Sequence, residues 1–93
     1  MALGFTWDPA KSAGNVRKHG VSFEDASTAF GDPHSITVPD PLHSAAESRF
    51  ALIGSTARGL IVIVSHTERN DTIRIISARK ATRHERATYE EDQ

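Results

Sequence analysis

Three apolar runs near the middle and end of the chain, at residues 49–54, 60–66 and 72–78, constrain its fold more than any other feature. They are rich in Ile, Val, Phe and Thr, and two tight breaks separate them, Thr56-Ala57-Arg58-Gly59 and Arg69-Asn70-Asp71. Such breaks are too short for a crossover helix, so the runs pair as an antiparallel meander. A fourth short strand is expected at Ile36 to Val38, and a weaker signal stands at Phe5 to Trp7. With Asn70-Asp71 as a two-residue hairpin turn, Arg69 pairs with Thr72, Thr67 with Arg74 and Ser65 with Ile76. The alternate face then carries Glu68, His66, Ile73 and Ile75. Polar residues gather toward the turn, which places a cleft at that end and the apolar ends beneath helices.

The helices announce themselves by their caps. Asp8-Pro9 supplies an N-cap carboxylate and a proline at the first helical position, and the helix runs to about His19. Gly20 takes the left-handed conformation that ends a helix, while Lys18 and His19 sit where positive charge suits the helix dipole. Ser22 caps a second helix with Asp25 as its capping-box-like partner, and Phe23, Ala26 and Phe30 fall on one face before Gly31-Asp32-Pro33 stops it. A loop around Pro39-Asp40-Pro41, extending to about Ala46, is the expected mobile element. Thr82-Arg83-His84-Glu85 is a capping box for a last helix, from about Arg83 to Glu91. The order of elements is that of an α+β domain.

A chain of 93 residues makes one domain, spanning 1–93, with a simple core. It has no cysteine, which excludes disulfides and thiolate metal sites. Its longest apolar run, Leu60 to Val64, is far short of a membrane span, and no signal-peptide pattern opens the sequence, so no membrane role and a cytoplasmic location are expected. The formal net charge of −1 hides an uneven distribution. Between Gly20 and Ala57, Glu24, Asp25, Asp32, Asp40 and Glu47 face only Arg49, whereas Arg74, Arg79, Lys80, Arg83 and Arg86 face only Glu85 in the stretch from Arg74 to Arg86. That asymmetry speaks for an anionic partner of the basic end.

Cutting RNA without a metal requires a base for the 2′-hydroxyl, cations for the phosphorane charge and an acid for the leaving 5′-oxygen. His66, Glu68, His19 and Lys80 are candidates for proton transfer, and Arg69, Arg74 and Arg79 for holding phosphate. Plainer roles stand beside these. His66 is a polar strand terminus, Glu68 a cross-strand ion-pair partner of Arg74, Lys18 and His19 a helix-dipole feature, and Arg83, Arg86 and Glu90 a solvated helix face. His34 and His43 share a loop with Asp40, but no histidine pair has helical ligand spacing, so neither a metal nor a cofactor is expected. The residues alone lead to a basic α+β domain with an RNA-binding surface.

Whole phrases of the sequence go further. Phe5-Thr-Trp-Asp-Pro, Asn15-Val-Arg-Lys-His-Gly-Val-Ser-Phe-Glu, Arg49-Phe, His66-Thr-Glu-Arg, Ile73-Arg-Ile-Ile-Ser-Ala-Arg-Lys-Ala-Thr, Glu85-Arg and Tyr89-Glu occur in that order over nearly the whole chain. The set closely resembles the BrnT family of bacterial toxins. The resemblance implies a RelE-like fold, with an antiparallel sheet of about four strands, two N-terminal helices and one C-terminal helix. It also implies a ribonuclease that inhibits translation and growth. The partner it implies is a BrnA-like antitoxin, expected to be a ribbon-helix-helix protein through which the complex binds its own promoter DNA. Residue by residue, it points to Lys18 and His19, to Glu68 and Arg69, and to Arg74, Arg79 and Lys80. With His66 these form the expected catalytic set, apart from Arg69, which joins Arg83 in binding RNA. Asn15, Gly20 and Phe23 read as structural. Two other functions fit the charge pattern: a non-catalytic RNA-binding module, and a co-repressor that only binds an antitoxin.

Overall fold

Asp8, in extended conformation, accepts a hydrogen bond from the Ala10 amide, and with Pro9 at the first turn it starts α1, Pro9–His19. Gly20 ends that helix with φ +73°, its amide bonded to the Val16 carbonyl. The Ser22 hydroxyl then accepts from the Asp25 amide and opens α2, Phe23–Thr28, which tightens into a 3₁₀ turn at Ala29–Gly31. The strands are β1, Gly4–Thr6; β2, Ile36–Pro39; β3, Arg49–Ser55; β4, Ile61–Arg69; and β5, Thr72–Lys80. The last helix, α3, covers Arg83–Glu91 and carries both bonds of the expected capping box between Thr82 and Glu85. The computed structural model describes residues 4–43 and 47–91, so the far part of the expected mobile loop lies outside the described residues.

The sheet is five-stranded, in the order β1-β5-β4-β3-β2. The four expected strands pair antiparallel, and the weakly signalled segment near Phe5 adds β1 parallel to β5. α1 and α2 pack on one face. Val21, Phe23, Ala26 and Ala29 meet Leu52, Val62, Val64, Ile73, Ile75 and Ala78 there, all nearly inaccessible to solvent. Asn15 anchors α1 to the sheet. Its side-chain amide donates to the carbonyls of Val21 at 2.8 Å and Ala78 at 2.7 Å, and its carbonyl accepts from the Ala78 amide at 3.3 Å.

The hairpin turn is as expected, with Arg69 opposite Thr72 and Thr67 opposite Arg74, and Asn70 takes a φ of +55° that asparagine tolerates. Beyond that the register differs. His66 pairs with Ile75 and Ser65 with Ser77, leaving Ile76 without a partner, so Ser65 does not pair with Ile76. Such a bulge puts two residues of one strand against one of the other and shifts the side-chain alternation. Ala78 therefore joins Ile73 and Ile75 in the core, and Arg79 joins Arg74 on the opposite face. Glu68 stands on the core side, so the expected Glu68 pairing with Arg74 does not form; its carboxylate meets His66 instead.

The second face is open. Running across it from β3 to β5 are the rows Arg49, Thr67, Arg74; Ala51, Ser65, Ser77; and Ile53, Ile63, Arg79. α3 is tied to this side through Arg79. The Arg79 guanidinium donates to both carboxylate oxygens of Glu85, at 2.7 and 2.9 Å. A second tie joins the Tyr89 hydroxyl to the Asp32 carboxylate, which also accepts from the Ser55 and His34 amides.

Candidate active site

A cleft of about 380 Å³ lies on the open face. Ser65 and Ser77, directly opposite one another on β4 and β5, form its floor together with Ala51 and Ile63. His19, Asp40, Arg49, Ile76, Ala78 and Arg79 complete it. His19 arrives from the far end of the chain because of Asn15. These residues are four apart on α1 and so share a helix face, and Asn15 is fixed to Ala78, the residue before Arg79. The β5 bulge brings Arg79 to the same place, and Asp40 is held beside the first residue of β3 by its amide bond to the Arg49 carbonyl, 2.8 Å.

Arg79 has a double role. Its bond to Glu85 holds that carboxyl down to about 2 against the opposing effect of burial, with the Thr82 amide contributing as well. The Glu85 bond likewise raises the Arg79 pKa. Two of the five guanidinium donors go to Glu85, and Nη1 also reaches the Lys80 carbonyl at 3.3 Å. Donors remain for an anion in the cleft. Arg79 is thus both a tie for α3 and a cation at the floor.

The other expected residues fall elsewhere. His66 has 0 % exposure. Its ring lies edge-on to Phe30 and stacked near Phe50, with centroids 4.8 and 5.9 Å away, and its nitrogens contact the Val64 carbonyl and the Glu68 carboxylate. Both ring nitrogens are thus engaged within the fold, and His66 does not line the cleft. Glu68 shares that side of the sheet, across from the cleft. Lys80 runs along the end of α1, its Nζ 3.8 Å from where a β-carbon on Gly20 would stand, a position favoured by the helix dipole. Lys18 and Arg83 are exposed on α1 and α3 and do not line the cleft. Arg69 and Arg74 line a second hollow on the open face.

Of the expected catalytic set, the cleft therefore brings together His19 and Arg79, and it adds Arg49, Asp40, Ser65 and Ser77. Arg49 had a visible signal: it is the lone base of an acidic stretch, at the start of a strand. Among the described residues, no group of three or more His, Cys, Asp or Glu side chains is arranged to hold a metal ion. No helix among them is long and apolar enough to cross a membrane.

A family profile described as the ribonuclease toxin BrnT of type II toxin-antitoxin systems matches residues 7–85. The chain belongs to the BrnT family. BrnT membership carries with it ribonuclease toxicity, an RNA substrate and a cognate antitoxin in general terms. Among solved structures, the crystal structure of the BrnT ribonuclease toxin of Brucella abortus is similar, with a TM-score of 0.67 and 24 % identity. The similarity covers 88 % of this chain and all of that one, and it is a likeness of fold. The RelE-like BrnT architecture is thus present here, with the parallel strand β1 added to the antiparallel meander. No curated protein matches the chain significantly.

Proposed function

We propose that the chain, acting as a single domain, cuts RNA without a metal in the cleft floored by Ser65 and Ser77. The observation that supports this reading is the convergence of His19 with Arg49 and Arg79 over a floor of hydroxyls. His19 accepts the proton of a ribose 2′-hydroxyl. The 2′-oxygen bonds to phosphorus, the bond from phosphorus to the 5′-oxygen breaks, and the leaving oxygen takes a proton from water at the open mouth. The products are a 2′,3′-cyclic phosphate and a 5′-hydroxyl. Arg49 and Arg79 offset the charge gathered on the phosphorane, and the hydroxyls of Ser65 and Ser77 donate hydrogen bonds to its oxygens. Asp40 brings a carboxylate to the cleft and is a second site for proton transfer.

The antitoxin in this reading is a BrnA-like ribbon-helix-helix protein that covers the cleft and carries the complex to its own promoter DNA. An acidic surface on it would suit Arg49 and Arg74.

Purified protein incubated with RNA in EDTA tests the reading, with His19→Ala alongside. Cleavage leaving cyclic phosphate ends is expected, and His19→Ala should be ~10²–10⁴-fold slower, the usual loss for a proton-transfer group. Intact RNA at high protein concentration, together with normal growth of bacteria expressing the chain alone, would overturn it.

A further inference from the structure

We propose that the hollow at the hairpin end of the open face is a second RNA subsite, which holds a backbone phosphate of a nucleotide flanking the cleaved linkage. The proposal rests on the ribonuclease reading of the cleft. The hollow, about 300 Å³, is lined by Arg69 and Arg74, by Thr6, Thr67 and Thr72, and by Glu47 and Asn70. Three strands contribute to it. β1 aligns Thr6 with Arg74, and β4 pairs with β5 through Thr67 with Arg74 and Arg69 with Thr72.

The two hollows form one track. Arg49 lines the cleft, and the same cross-strand row continues through Thr67 and Arg74 into the second hollow. Ser65 marks the cleft floor on β4 and Thr67 the row of Arg74. At about 3.3 Å per residue the rows are ~7 Å apart, against a rise of ~3.4 Å per nucleotide in a stacked strand. A dinucleotide brings only the linkage seated over Ser65 and Ser77, so it has no second phosphate for Arg74, and a longer strand supplies one.

The chemistry of the lining selects the ligand. Two guanidinium-bearing and three hydroxyl-bearing side chains are donors of the kind that suit phosphate oxygens and a ribose hydroxyl. Among the described residues no aromatic ring lines the hollow, so they offer bases no stacking platform, and the hollow adds affinity without reading sequence. Glu47 faces Arg69 at 3.9 Å, with both side chains well exposed, and such a pair holds weakly. A phosphate displaces Glu47 from Arg69, and the carboxylate then opposes binding.

Binding of uncleavable 2′-O-methyl oligouridylates of two and six nucleotides, followed by fluorescence anisotropy across a salt series, tests the subsite. The hexamer should bind about tenfold more tightly than the dimer, the scale of a charge-assisted phosphate contact. Arg69→Gln should erase most of that advantage and reduce the slope of log affinity against log salt by about 0.7. Arg69 is 81 % exposed, so the substitution should leave the melting temperature in place. Glu47→Gln should tighten hexamer binding. Equal affinity for both lengths, or a hexamer advantage that survives Arg69→Gln, would overturn the subsite. Neither result depends on cleavage, so a failed subsite leaves the cleft reading to be judged by cleavage and His19→Ala.

Discussion

Arg74 and Arg79 stand five positions apart on one strand yet share a face of the sheet, because Ile76 between them has no partner on β4. In a regular strand, residues separated by an odd number point to opposite sides. The bulge converts a sequence that would divide its cations between core and solvent into one that gathers them along a single track.

This makes one deletion tolerable and one insertion damaging. Removing Ile76 leaves the pairs on either side intact and the same residues on each face, so the variant should still melt cooperatively and keep its far-UV circular dichroism. Its cleavage should fall, because the added twist that aims Arg79 is lost. Adding one alanine after Ile76 should exchange Arg79 and Ala78 between faces and unfold the protein, unless the bulge widens to absorb it. A deletion variant that fails to fold would assign the stability to the Ile76 side chain and not to register.

Arg79→Ala should lower both activity and melting temperature, since it removes the tie to α3. Glu85 and Asp32 both sit below ordinary carboxyl values. For Glu85 the cause is the Arg79 bond; for Asp32, burial pushes upward but the Tyr89 hydroxyl and the Ser55 and His34 amides outweigh it. A depressed folded-state pKa stabilises above the unfolded value and stops doing so as pH falls through the folded one. The Glu85 contribution is therefore complete above its ordinary 4.5 and fades toward about 2. It amounts to ~1 kcal/mol after allowance for the half-exposed guanidinium. Melting curves between these pH values should show a shallower fall for Glu85→Gln than for the parent. Tyr89 gives the opposite arm. The Asp32 bond and burial push it up to about 12, so its stabilisation is complete below 10 and lost as pH rises toward 12.

Asn15→Leu should cost ~2–5 kcal/mol, because two buried carbonyls and an amide lose their partner. Where the variant still folds, His19 is no longer held over the cleft. Chemical denaturation gives the first effect, and kcat on a short RNA the second.

His66 should matter for folding and not for proton transfer. His66→Ala leaves a cavity among Phe30, Phe50 and Ile75, at ~2–4 kcal/mol by analogy with other large-to-small core changes. His66→Phe fills that space and should cleave RNA within a few-fold of the parent once folded. A loss of ~10²-fold or more in folded His66→Phe would return the histidine to the reaction.

Local chemistry made much of this legible from the residues. Asp8-Pro9, Gly20, Ser22 and the Thr82 to Glu85 box each set a helix boundary through a bond to the adjacent backbone, and Asn70-Asp71 set the hairpin. The bulge was harder to see. Its trace is a change of parity in the apolar pattern, from Ile73 and Ile75 to Ala78, with Ile76 doubling the run between them. The site was legible in part. Lys80, Glu68 and His66 lie close to Arg79 or Arg74 in sequence, but the sheet separates them from the cleft, and sequence proximity does not report faces. Arg49 stood out by its charge, but its place in the cleft and that of Asp40 come from the pairing of β3 with β4 and the bond at the start of β3, contacts that no local pattern encodes.

The bond from Asn15 to Ala78 spans 63 positions, and the cleft exists only where it has formed. A ribosome that has made everything from α1 to β4 has made His19 without Ser77 and Arg79. On the proposed reading, cleavage therefore becomes possible only late in synthesis. Chains that stop before Ser77 should not cut RNA, which normal growth of bacteria expressing them would check.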